Sequence, residues 1–205
     1  MKKCLIVIIS FLCAGEMFSQ KDSYFPQVFF DKKQAEAQLG YGKSTIEGVA
    51  FTREKRNVPL TLGMIKAKMG KKHVARPNTV IMLFPVTEYF TEFYNLRRKI
   101  ESSKKQVLMS KEAFAVRREA YTDDYGRFKF ENLKVGKYYI ETIVDFTAVG
   151  SYKKQTGTST AYNVYGTPLY STPIYETFFY DYEDSHRESK FVEVKKDGQV
   201  IEIKL

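Results

Sequence analysis

The chain has 205 residues, a net charge of +9 and 43% hydrophobic residues, enough for one sizeable core and too short for two comfortable domains. Its only cysteines, Cys4 and Cys13, lie in the first 20 residues. If those residues are removed, disulfide, cysteine-nucleophile and thiolate-metal chemistry are excluded.

Residues 1–20 read as a signal peptide. Lys2 and Lys3 precede an apolar run from Leu5 to Ala14 broken only by Ser10, too short to span a bilayer as a helix. Cleavage is expected near Ser19 or Gln20. Lipidation at Cys13 would need a small residue before it, and Leu12 stands there instead. Export to the periplasm, to the outer membrane or beyond it is the expected localisation. Excess positive charge there points to acidic polysaccharide, lipid head groups or an envelope protein as partner, and away from nucleic acid.

Residues 21–43 form a lead-in, with a short helix expected over Asp31–Leu39, capped by Asp31 and ended by Gly40. Residues 44–205 are expected to form a single β-sandwich domain. Residues 44–53 are its first strand. Residues 54–77 are strongly basic, and Met64–Met69 alternates so that Lys66 and Lys68, followed by Lys71 and Lys72, can line one face of a hairpin. Asn78–Pro85 carries the continuous apolar run of a buried strand.

A helical insertion is expected at about 87–110. Tyr89, Phe93, Leu96 and Ile100 share one helix face, with Arg97, Arg98, Lys99, Lys104 and Lys105 on the opposite side. The next signal is the most specific in the chain. Asp123 to Gly126 supply a turn, and Phe128 and Phe130 then alternate with Arg127, Lys129 and Glu131 as in a half-buried strand. Leu133 drops toward the core, and Gly136 turns the chain into a second strand through Tyr138 and Ile140.

Beyond Val144 the character changes. Eight of the 21 residues from Tyr162 to Tyr182 are aromatic, against 15% for the whole chain. Gly166, Pro168 and Pro173 among them exclude a long helix, so an aromatic-rich loop is expected at about 150–185. Phe191–Lys195 and Val200–Leu205, around Lys196–Gly198, read as a closing hairpin.

The run from Thr122 to Tyr138 fits T-D-x-x-G-x-F-x-F-x-x-L-x-x-G-x-Y, and Thr45–Thr52 supplies a preceding G-x-V/A-type strand. With Asn78–Tyr94, this stretch resembles the carboxypeptidase regulatory-like (transthyretin-like, prealbumin-type) domains of secreted bacterial proteins over roughly residues 29–147. The resemblance implies a mainly β, Ig-like or prealbumin-like antiparallel sandwich with one helix inserted between strands. It says little about activity, since such folds host binders, spacers and a few enzymes.

Catalytic constellations are not evident. The two histidines, His73 and His186, stand in no zinc-ligand spacing. His73 reads as part of a basic loop and His186 as part of an acidic turn, Asp181–His186, whose spacing fits no calcium loop. The prealbumin-type sandwich also houses dioxygenases with Tyr and His iron ligands, but neither histidine sits in a ligand pair. The C-terminus lacks the Tyr-Arg-Gly-Ser ending of the transthyretin-like hydroxyisourate hydrolases. No catalytic residue, metal site or cofactor is assigned.

The sequence therefore reads first as a non-catalytic exported module, an interaction or structural component of the cell envelope. The alternative is a glycan-binding module using the segment 162–182. Its candidate contacts are Tyr162, Tyr165, Tyr170, Tyr175 and Tyr180, with Lys66, Lys68, Lys71 and Lys72 as basic neighbours. A small metal-dependent enzyme using His73 or His186 is the third reading.

Overall fold

A computed structural model describes residues 21–60 and 63–205, without the side chains of 56–60 and 63–69. The signal-peptide assignment and the side chains of Lys66 and Lys68 lie outside the described residues.

The fold is a β-sandwich, with strands numbered in chain order. β1 (Asp22–Tyr24) pairs in parallel with β6 (Lys105–Val107). One layer is a four-stranded antiparallel sheet with strand order β10-β9-β5-β7. It is built from β5 (Val80–Pro85), β7 (Arg118–Tyr121), β9 (Gly136–Tyr162) and β10 (Pro168–Val194). The other has the order β11-β2-β8, from β2 (Ser44–Val49), β8 (Arg127–Leu133) and β11 (Val200–Lys204). β3 (Phe51–Leu60) and β4 (Gly63–Val74) form a separate hairpin, so the expected first strand is divided at Ala50.

The main core lies between the layers. Ile46, Phe128, Phe130, Leu133 and Ile203 meet Ile81, Leu83, Tyr138, Ile140, Val144 and Val194 there. Alternation on β8 is as the sequence requires, with Phe128, Phe130 and Leu133 buried and Arg127, Lys129 and Glu131 exposed. Asp123 makes the turn before it. Its Oδ1 accepts from the amides of Tyr125 and Arg127 (2.8 Å each), and Gly126 takes φ +71°.

The lead-in helix α1 (Lys32–Gln38) starts where Asp31 accepts from the Gln34 amide at 3.0 Å. The insertion comprises α2 (Glu88–Ile100), β6 and a short α3 (Lys111–Ala115), so it extends beyond the expected bounds. The Thr87 hydroxyl caps α2 by accepting from Phe90 N at 3.2 Å. Phe90 and Phe93 pack on Phe84 and Tyr139, covering the face of the four-stranded sheet that points away from the main core.

Arg97 is not on the solvent side as expected. It follows Tyr89 and Phe93 at four-residue intervals and is buried with them. Its guanidinium donates to the Tyr139 hydroxyl and to Glu141 (2.6 Å), while the Tyr139 hydroxyl donates to Glu141 (2.8 Å). Burial, reinforced by the Glu141 charge, pushes the Tyr139 phenol well above its usual range, so it remains a donor.

The C-terminus corrects a second expectation: β10 and β11 do not pair with each other. β10 pairs with β9, and β11 runs parallel to β2 in the opposite layer. The intervening turn is fastened to the start of β2. Lys43 N donates to Asp197 Oδ1 (3.0 Å) and the Ser44 hydroxyl to Lys196 O (3.1 Å). Gly48 makes the parallel pairing possible, because a Cβ there would lie 2.2 Å from the Ile203 carbonyl oxygen.

Candidate functional site

The aromatic segment expected as a loop is strand instead. β9 and β10 pair from Gly136–Val194 at the base to Tyr162–Pro168 at the tip. A turn closes them, with Asn163 Oδ1 accepting from Tyr165 N (3.0 Å) and Thr167 N (2.9 Å), and Gly166 at φ +78°. The prolines do not break the ribbon. Pro168 opens β10, and Pro173 stands on a strand whose second side carries no partner strand among the described residues, where a missing N–H is tolerated. From Val149 to Tyr162, at about 3.3 Å per residue, the ribbon projects about 45 Å past the sandwich.

Register decides what the ribbon presents. Val144 and Phe146, opposite His186 and Asp184, belong to the face that lines the main core. Farther out the same face carries Tyr182, Tyr180, Tyr152 and Phe178, all exposed. These rings follow one another in contact. Tyr180–Tyr182 centroids are 6.0 Å apart, Tyr152–Tyr180 6.2 Å, and Tyr152 stacks on Phe178 at 5.6 Å. Gly150, cross-strand from Tyr180, leaves room for that ring, since a Cβ there would meet it at 2.5 Å. The opposite face also exposes Val149, Tyr175 and Phe179, the last with 73% of its surface open.

The predicted contact residues fall into two places. Tyr162, Tyr165, Tyr170, Tyr175 and Tyr180 are all exposed on the ribbon or its turn, with Tyr165 at the tip. The lysines belong to β4. The backbones of Lys66 and Lys68 pair with Asn57 and Lys55. Lys71 is exposed, and Lys72 lies over the Phe51 ring at 4.1 Å. Lys72 also lines a groove of about 1040 Å³ with Tyr121, Arg127, Lys129 and Lys190, and none of the predicted tyrosines borders it. Tyr152 escaped the sequence reading because it lies outside the aromatic cluster. Its signal was the alternation Phe146–Ala148–Gly150–Tyr152, in step with the buried start of the strand.

Both histidines sit on strands, not in a loop and a turn as expected. His73, on β4, lies 2.8 Å from Glu54 and stacks on Phe146 at 4.6 Å. His186, on β10, is buried and meets the same ring at 5.0 Å. Thr52 Oγ1 lies 3.0 Å from His186 Nδ1, and Asp184 lies 3.5 Å from Nε2. The order of groups suggests a nucleophile–base–acid triad, but the Thr52 hydroxyl donates to Glu188 (2.5 Å) and is 1% exposed. It presents no oxygen to a substrate, and the cluster fastens β3–β4 to the ribbon's base. Among the described residues no group of three or more His, Cys, Asp or Glu is placed to hold a metal.

No family model matches the chain, and no curated protein matches it. Among solved structures it is similar to a crystal structure of a candidate carbohydrate-binding protein from Pseudomonas aeruginosa. The identity is 18% and the TM-score 0.51, over 87% of this chain and 99% of that one. At this identity the likeness is one of fold, a mainly β sandwich shared over almost the whole of the neighbour.

Proposed function

We propose that this chain is a non-catalytic, exported carbohydrate-binding module whose sugar platform is the aromatic face of the β9–β10 ribbon. The observation that carries it is the row Tyr182–Tyr180–Tyr152–Phe178, in mutual contact and open to solvent. A tyrosine ring offers an apolar face to the C–H face of a sugar and a hydroxyl to its polar rim. The name of the Pseudomonas aeruginosa neighbour supports this reading, as does the resemblance to carboxypeptidase regulatory-like domains, which include binders. The net charge of +9 favours acidic polysaccharide by long-range attraction. Lys71 and Lys72 act in that field and not as contacts.

The test is calorimetric titration with neutral and acidic polysaccharides, preceded by a glycan array. The double variant Tyr152→Ala/Tyr180→Ala should weaken binding about five-fold or more, roughly 1 kcal/mol, with the circular dichroism spectrum unchanged. Silence at millimolar ligand, or equal affinity in the double variant, overturns the reading. The other reading, a protein-interaction component of the envelope, is favoured by one observation: among the described residues β10 presents a long unpaired edge.

A further inference from the structure

Among the described residues β10 pairs with β9 alone, so from Pro168 to Asp184 its second edge carries no partner strand. Such an edge is a template for another strand unless lysines, prolines or charges blunt it. The edge of β9 is blunted by the adjacent Lys153 and Lys154. Between Ile174 and Asp184, β10 carries neither lysine nor proline; five of its residues are aromatic, and its charges are the acids Glu176, Asp181, Glu183 and Asp184. The ribbon itself has only two strands, an arrangement of marginal stability in water without a third strand or a cover.

The segment Tyr175–Glu183 is complementary to itself. Laid antiparallel on a second copy with Phe179 on the axis, Phe178 faces Tyr180 and Phe179 faces Phe179. Every carboxylate then meets a hydroxyl-bearing residue: Glu183 faces Tyr175, Asp181 faces Thr177 and Glu176 faces Tyr182. No acid opposes an acid. Cross-strand pairs of this kind, aromatic with aromatic and acceptor with donor, are what stabilise a sheet. Glu183 is already compensated by the Thr147 hydroxyl (2.6 Å) and Arg76 (3.1 Å) in its own copy.

From this we infer that two copies of the chain pair through the free edge of β10, about a two-fold axis at Phe179, joining their ribbons into one four-stranded sheet. A two-fold of this kind is closed, using the same patch on both subunits. Because the axis stands perpendicular to the sheet, the two aromatic rows fall on the same face. The doubled platform rests on the carbohydrate reading, whereas the pairing rests on the strand edge alone.

Sedimentation equilibrium of the purified chain tests the pairing, with Cys4 and Cys13 replaced by serine for cross-linking. Dimer is expected, and Phe179→Cys should form an intersubunit disulfide on oxidation, because directly opposed Cα atoms lie about 4.5–5.5 Å apart. Val149→Cys, on β9, should not. Thr177→Asp, which faces Asp181 of the second copy, should weaken dimerisation at least ten-fold, whereas Thr177→Lys should not weaken it. Thr177 and Phe179 are both exposed, so circular dichroism should be unchanged. A monomer at every concentration, cross-linking at Val149→Cys instead of Phe179→Cys, or equal effects of the two Thr177 variants overturns the inference. A monomer that still binds polysaccharide removes the pairing and keeps the function, and a dimer that binds none does the reverse.

Discussion

The base and the outer half of the β9–β10 pair are the same two strands with the same alternation, and they meet opposite fates. At the base, Tyr138, Ile140, Val144, Val192 and Val194 are buried because β2, β8 and β11 lie over them. Beyond Ala148 the same face carries Tyr152, Phe178, Tyr180 and Tyr182, and nothing in the chain's described residues covers it. Period-two patterning thus settles which side chains share a face. Whether that face is core or surface depends on the length of the opposing layer, and here one layer outruns the other.

The sharpest way to break the covered side of this comparison is to truncate a buried ring and its exposed neighbour on β8. Phe130→Ala, in the covered region, should cost about 3–5 kcal/mol in urea unfolding, a large part of the roughly 5–15 kcal/mol that holds a domain. Lys129→Ala on the same strand should cost less than about 0.5 kcal/mol, and similar losses for both would mean that the β8 register is wrong. Arg97→Ala should be of comparable size to Phe130→Ala, about 3–5 kcal/mol, because it leaves Glu141 buried with its main partner gone. Arg97→Met should recover part of that loss.

Gly48→Ala should cost about 1–3 kcal/mol by forcing β11 away from β2. Gly150→Ala meets a side chain and not a backbone, so the Tyr180 ring can swing aside. Global stability should change little, while hydrogen exchange in the ribbon accelerates and polysaccharide affinity falls. The smallest effect concerns acid. The Thr147 hydroxyl, with Arg76, holds the Glu183 carboxyl below its usual range. Its contribution is therefore present above the ordinary carboxylate range and lost as pH falls through the lowered value. An NMR titration should find Glu183 titrating below the ordinary glutamate range, and Thr147→Val should move it upward.

Much of the sandwich was legible in the sequence because its signals are local. The Asp123–Gly126 turn and the Phe128–Phe130 alternation fix β8, and the spacing of Tyr89, Phe93 and Leu96 fixes α2. The ribbon was illegible for a physical reason. With Phe178 and Phe179 adjacent, both faces are aromatic and the period of two disappears into a continuous run, while Pro168 and Pro173 mimic loop punctuation. The partner of β11 was equally hidden, since its pairing depends on an absent side chain at Gly48, 155 positions from Ile203. Tyr180 could be named as a candidate contact from composition, but Tyr152 joins it only through cross-strand register.

The ribbon also has a mechanical meaning. Both of its strands are rooted in the same core, β9 through Tyr138, Ile140 and Val144 and β10 through Val192 and Val194. A pull on the tip directed away from the sandwich runs along two covalent chains, while the hydrogen bonds between them lie across the load and are not unzipped one at a time. Failure requires dragging β9 lengthwise past β5, which breaks several bonds at once. The arm is therefore stiff in tension along its axis and soft in bending across it.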